Sequence, residues 1–299
     1  MPTTTRGVLA SVSASILFGI LFFLPSLLEG LTANQVLAWR TVVTIPAMAL
    51  LLTLTRSWAD VRSVVRRIRE SPSKGFVLVA CGALIGVQTW LFGWGPQSGQ
   101  GLDIALGYLM LPLVAVVVGS LLYGERLSVW RASAVVTAAV GVIAAVVLAG
   151  GIRWPTLVVS LGFPVYFVLR KRTGLNGAGA LFFETIALLP FVIWVLAQPD
   201  ASRSFGGAPP TLFVAVLLLG VLGAAGLSSY LAASRLLDFA LFGLLGYLEP
   251  VLLIIVAVMF LGERLTPSDF SIYVPITLAL VLLAIEAVHG LHRRASARS

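Results

Sequence analysis

The chain is poor in charge. Only 11% of its 299 residues are Asp, Glu, Lys or Arg, against about 25% in a soluble domain. That scarcity excludes a soluble globular enzyme and a disordered protein. Cysteine is nearly absent: Cys81 stands alone, so no intramolecular disulfide can form. The two histidines, His289 and His292, are too few for a metal centre. There is no HExxH, P-loop or dinucleotide fingerprint. No acid, base and nucleophile cluster within the apolar runs. The expectation is therefore no catalytic residue, no metal and no cofactor, and neither a metalloprotease nor an ATP-driven pump.

What the chain has is apolar length. Hydrophobic residues make up 59% and the mean hydropathy is +1.03. A helix crosses a bilayer with about 20 apolar residues. Ten such runs can be read, near 7–27, 36–54, 75–94, 103–123, 130–149, 155–169, 177–197, 210–232, 239–261 and 270–288. The runs are continuous and do not alternate, which excludes a β-barrel. The first is too long for a signal-peptide core and lacks a small-residue cleavage site, so it is expected to be retained. The reading is an all-α integral membrane protein of ten transmembrane helices.

Basic residues set the expected orientation. With the N-terminus inside, the inner segments carry sixteen of the 20 Lys and Arg, six of them in 56–74 alone. The outer segments carry Arg153, Arg203 and Arg264, and Arg40 lies within a span. Both termini are expected in the cytoplasm, in the inner membrane. The net charge of +8 is thereby accounted for without nucleic acid, leaving membrane lipids and a small-molecule substrate as partners.

The chain also repeats itself. Residues 112–128 read PLVAVVVGSLLYGERLS and 250–266 read PVLLIIVAVMFLGERLT. Each places Pro twelve residues before Gly-Glu-Arg-Leu, at an offset of 138. Gly107-Tyr108 precedes the first Pro, and Gly246-Tyr247 the second, one residue closer. More weakly, Arg40 lies six residues before Pro46 and Glu184 six before Pro190. Residues 1–149 and 150–299 are thus expected to be two five-helix repeats. Five is odd, so the second copy is inverted, a plan common among secondary transporters.

The stretch IGVQTWLFGWGPQSGQGLDIALGYLMLPLVAVVVGSLLYGERL (85–127) is similar to spans 3 and 4 of RarD-type permeases. These form part of the EamA branch of the drug/metabolite transporter superfamily. ETIALLP (184–190) and the basic RKR (170–172) resemble the same group. The resemblance covers most of the chain. It implies ten helices in two inverted repeats and the export or exchange of small metabolites or drugs.

Polar groups inside spans cost about 2.5–3.5 kcal/mol each when ionised, so they are candidates for function. Glu249 lies mid-span directly before Pro250, which removes a helix donor and frees carbonyls at mid-depth. It is open to proton coupling, to binding a cation, or to a neutral structural role. Its mirrored position is Leu111. Arg40 and Glu184 occupy mirrored places, but symmetry puts one outward and the other inward, which argues against a direct pair. Arg40 suits a carboxylate or snorkels to the interface. Glu184 suits an amine or proton, or pairs with Arg170 or Lys171. Gln88, Trp90 and Trp94 in span 3 offer a polar and aromatic face for an amphipathic, aromatic or amino-acid-like substrate. Tyr108 and Tyr247 are expected to flank one central cavity, and Tyr166 stands beside Pro164 in a short span. Gly220, Gly223 and Gly226 permit close helix approach, and the GERL glycines suit left-handed helix ends. The expected function is a secondary active transporter working by alternating access. The alternatives are a channel or a non-transporting membrane scaffold.

Overall fold

The computed structural model describes residues 3–24, 28, 30–175, 177–199, 210–252 and 267–296. Pro25, Arg203, the second GERL copy and the far part of the ninth span lie outside them, as do the side chains of His289 and His292. The described residues are helical, without a strand among them. In order they form α1 (Thr3–Phe23), α2 (Ala33–Leu54), α3 (Trp58–Glu70), α4 (Ser73–Gln97), α5 (Gly101–Tyr123) and α6 (Val129–Leu148). The second half forms α7 (Trp154–Thr173), α8 (Ala178–Ile186), α9 (Leu189–Leu196), α10 (Pro210–Leu236), α11 (Phe239–Leu245) and α12 (Pro267–Ser296).

Eight segments among the described residues are long and apolar enough to cross a membrane, where the sequence reading expects ten. Two runs account for the difference. Helix α7 has 20 residues, but Arg170, Lys171 and Arg172 fill its last turn and lower its hydropathy. It is nonetheless buried along one face, through Val159, Ser160, Gly162, Pro164, Tyr166 and Phe167. The run 239–252 is an apolar helix shorter than a span, and its continuation lies outside the described residues. It is also interrupted: α11 ends at Leu245 and helix resumes at 248–252. A similar interruption separates α8 from α9 at 187–188, just before Pro190. In the first half, α2 runs unbroken through Pro46 and α5 through Pro112.

Segment 56–74, read from sequence as an inner connection, contains the amphipathic helix α3. Its Val64 joins Leu78, Leu175 and Ala180 in a small apolar cluster; Arg62, Arg66 and Arg69 are exposed, while Arg67 reaches Gly174 at the end of α7. Elsewhere α1 packs on α10, α6 on α12, α5 on α7 and α11, α4 on α7 and α8, and α2 on α4, α9 and α10. Gly124 ends α5 at φ +63°, the left-handed cap expected of the first GERL glycine.

Candidate functional site

Where α1, α2, α4, α5, α7, α10 and the broken α11 converge, they line a cavity of about 80 Å³. That is room for roughly six waters or a small solute. Its polar groups are Arg40, Gln88, Thr89, Tyr108, Tyr230 and Glu249, and its aromatic walls are Phe18, Phe92 and Phe163. Leu111-Pro112 and Glu249-Pro250, the pairs that the repeat expected from sequence matches to each other, both line it.

Four of these groups, Arg40, Gln88, Tyr108 and Tyr230, have neighbours that position them. Gly223 faces Arg40 so closely that a Cβ there would stand 2.8 Å from Nη2, so the missing side chain makes room for the guanidinium. A second cavity of about 40 Å³ shares Arg40, Ile85, Thr89 and Leu227 and adds Thr41, Thr44 and Thr185. The hydroxyls of Thr41, Thr44 and Thr185 donate to Leu37, Arg40 and Leu181 carbonyls at 2.7, 2.7 and 2.9 Å. Their protons are thus used on backbone carbonyls, Thr44 also reaching Gly220 O of α10 at 3.4 Å, which leaves oxygen lone pairs free in the pocket that Arg40 shares. Gln88 is buried. Its Nε2 donates to the Val158 carbonyl at 2.8 Å, in space left open by Gly162, while its Oε1 has no partner. Phe92 packs edge-on against Tyr108 at 6.2 Å, and Phe18 against Tyr230 at 5.7 Å. No ion pair within 4 Å joins Arg40 to Glu249 among the described residues. A guanidinium and a carboxyl group therefore face one small, largely apolar space.

Of the nine candidate residues, Arg40, Gln88, Tyr108 and Glu249 meet in this cavity. Trp90 and Trp94 lie beyond it, toward the C-terminal end of α4. Trp90 Nε1 donates to Asn34 at 2.7 Å, its ring stacks on Trp94 at 5.1 Å, and Trp94 meets Trp154 at 5.4 Å. Nearby, Gln97 clamps the start of α2, accepting from Ala33 N–H at 2.8 Å and donating to Leu31 O at 3.0 Å. Tyr247 is fully buried in another cluster, with Leu106, Leu109, Val142 and Ile276, and its hydroxyl has no partner. Tyr108 lies inside the continuous α5, whereas Tyr247 lies in the 246–247 turn between two helical pieces. Tyr166 and Glu184 form a separate network. Arg170 Nη1 donates to Glu184 Oε1 and to the Tyr166 hydroxyl, which donates in turn to Glu184 Oε2 at 2.8 Å. Arg170 Nη2 donates to Gly177 O at 2.9 Å. All three side chains are buried, at 2% exposure or less. The pairing of Glu184 is thus the one with Arg170, and not with Arg40.

Thr89, Tyr230 and the phenylalanines of the wall were not singled out from sequence. A signal existed for one of them: Tyr230 is the only tyrosine of the glycine-rich run 210–236.

A model of the EamA-like transporter family matches residues 156–285. The chloramphenicol-sensitive protein RarD of Pseudomonas aeruginosa is 39% identical over 300 residues, covering 99% of each chain. A protein of Haemophilus influenzae described as an uncharacterized transporter is 32% identical over 95% of each chain. Protein RarD of Escherichia coli is 27% identical over 97% of each. A solved protein crystal structure aligns with a TM-score of 0.67 at 18% identity, covering 94% of this chain and 98% of that one; it shares the fold.

Proposed function

The chain belongs to the RarD branch of the EamA-like transporter family, a multi-pass membrane transporter of the drug/metabolite type, and from that premise we propose that it exports or exchanges a small zwitterionic or amphipathic solute by alternating access. The observation that carries this reading is the facing of Arg40, from the first half, and Glu249, from the second, across one cavity with aromatic walls. Arg40 takes a carboxylate. Glu249 takes an amine or carries a coupling proton. Gln88 Oε1 accepts a donor from the solute, and Tyr108 and the phenylalanines hold its apolar part. Trp90 and Trp94 belong to the outer approach, Tyr166 and Glu184 to the inner framework, and Tyr247 to packing.

Two inverted five-helix repeats, 1–149 and 150–299, are part of the same reading. The helix pairings support it. Exchanging the halves turns the α1–α10 contact into the α7–α4 contact, and α2–α10 into α8–α4. The α5–α11, α6–α12 and α2–α9 contacts map onto themselves. Helices continuous in the first half have broken counterparts in the second, as expected when the two copies hold different conformations. The membrane is the bacterial inner membrane, with both termini in the cytoplasm, as the basic residues of 56–74 and 170–172 indicate.

Purified protein in liposomes tests the transport class. A thermal-shift screen first finds solutes that stabilise the folded chain. Saturable uptake with counterflow of such a solute is the expected result. Flux linear in concentration without counterflow would make the protein a channel, and no flux a scaffold.

A further inference from the structure

A further pocket, of about 180 Å³, lies at the basic end of α7 and α10. Its floor is apolar: Phe167, Leu231, Leu237 and Phe239. Its rim carries Lys171, Arg235 and Ser234, with Arg170 beneath. The charges there are unbalanced. Arg170 is spent on Glu184 and Tyr166. Lys171 rests over the Tyr123 ring at 3.8 Å, and among the described residues neither it nor Arg235 has a carboxylate within 4 Å. The acids of that end are engaged elsewhere: Glu125 accepts from Phe239 and Ala240 N–H at 2.8 Å each, and Asp238 pairs with Arg131 at 3.3 Å.

The pocket also stands in line with the central cavity. Along α7 the order is Phe163 in the cavity, then Phe167, then Lys171, at i, i+4 and i+8. Along α10 it is Leu227 and Tyr230, then Leu231 and Ser234. From α11 onward it is Phe239 in the pocket, Phe242 between, and Gly246 and Glu249 in the cavity. Three elements thus pass from one space to the other, about 10–12 Å apart at 1.5 Å per helical residue. Between them Phe167, Tyr230 and Phe242 close on one another, with ring centroids 5.4, 5.1 and 4.7 Å apart.

We propose that this pocket is the inner antechamber of the transport path. It holds the anionic end of a carboxylate-bearing solute against Lys171 and Arg235, and the Phe167–Tyr230–Phe242 cluster is the barrier above it. The inference rests on the transporter reading for its place in the path, but not for its anion preference. The ring surfaces of Phe167 and Phe239 suit an apolar solute body, and the two cations select its carboxylate by field rather than by fixed geometry.

The chain has one cysteine, buried Cys81, so a single introduced thiol can be followed. Ser234→Cys, in phosphatidylcholine nanodiscs with both faces open, is treated with a sulfonate-bearing or a trimethylammonium-bearing methanethiosulfonate. Rates are normalised to free cysteine. The anionic reagent is expected to react severalfold faster than the cationic one. Lys171→Gln with Arg235→Gln should abolish the preference, and each single change should about halve it, which serves where the double variant folds poorly. Benzoate should slow the anionic reaction, and the modified protein should no longer transport. Equal normalised rates, or a preference indifferent to the two charges, overturn the pocket. Suppression by phosphatidylglycerol but not by benzoate makes a lipid headgroup the occupant and also overturns it. Anion-selective labelling in a protein that transports no solute instead overturns the transporter reading while the anion site stands.

Discussion

The Glu125 carboxylate seats the start of α11. It accepts the backbone N–H of Phe239 and of Ala240 at 2.8 Å each, across more than 110 residues of sequence. A carboxylate at a helix N-terminus satisfies otherwise orphaned donors and complements the helix dipole. The acid of the first GERL motif therefore ties the α5–α6 turn to the helix that leads to Glu249. Ser128 and Arg131 extend the tie by binding Glu286 of α12 at 2.7 and 3.3 Å. Glu125→Ala should destabilise the fold by about 2 kcal/mol, as charge-assisted hydrogen bonds do. Glu125→Gln, which keeps one acceptor, should lose about half that. Melting temperatures in detergent check both, and equal melting of all three proteins would refute the tie.

Gly223 should be a lever on Arg40. A methyl group there would press on the end of a flexible side chain, so Gly223→Ala should fold normally while displacing the guanidinium. The expected result is a weaker KM for a carboxylate-bearing solute, about tenfold, with the melting temperature nearly unchanged. An unchanged KM would remove Arg40 from the carboxylate site.

The Arg170–Glu184 pair should behave as buried ion pairs do. Arg170→Met alone strands a buried carboxylate and should cost about 3–5 kcal/mol. Arg170→Met with Glu184→Leu and Tyr166→Phe should recover most of that loss, because no unpaired polar group remains. Denaturation of the set checks it. If the single and triple variants are equally unstable, packing rather than pairing holds α7 to α8.

Hydropathy alone finds the eight segments long and apolar enough to cross a membrane, and the ionisable residues in apolar runs point to two groups of the cavity, Arg40 and Glu249. Burying a charge is so costly that Arg40 and Glu249 stand out without a structure. The rest escapes for physical reasons. The breaks at 187–188 and 246–247 occur inside continuous apolar runs, where neighbouring helices can satisfy the freed backbone groups. Phe18, Phe92 and Phe163 line the cavity, but a lining phenylalanine and a packing one look alike in sequence. Helix α3 left a legible trace, since Val61, Val64, Val65 and Ile68 follow the i, i+3, i+4, i+7 spacing of one apolar face. Counting the segment only as charge hides it. Tyr247 matches Tyr108 by motif, yet it falls in the 246–247 turn and packs into the core.

Orientation can be tested directly. Ser98→Cys, after α4, should react with an impermeant thiol reagent added outside intact cells. Ser63→Cys, in α3, should react only once the membrane is opened. Labelling of Ser63→Cys from outside would reverse the placement of the termini and with it the inner side assigned to the Lys171 pocket.

How transport is driven can be tested at Glu249. It stands where helix resumes after the 246–247 break and lines the cavity opposite the half that supplies Arg40. Two roles compete there, and each requires a carboxyl group that meets the solute or the solvent of the cavity. Glu249→Gln keeps the size and one acceptor but cannot titrate or carry charge. If the carboxyl carries the coupling proton, the variant should lose uphill transport driven by a pH gradient and keep downhill exchange. If it binds a solute ammonium group, exchange itself should weaken, by about tenfold or more for amine-bearing solutes and little for those without an amine, since a charge-assisted hydrogen bond contributes about 1.5–3 kcal/mol. Arg40→Gln gives the control: it should weaken carboxylate-bearing solutes without altering the response to a pH gradient. Uphill transport, exchange and pH response all unchanged in Glu249→Gln would leave the carboxyl a structural group, and the pairing of Arg40 and Glu249 across the cavity would no longer explain the choice of solute.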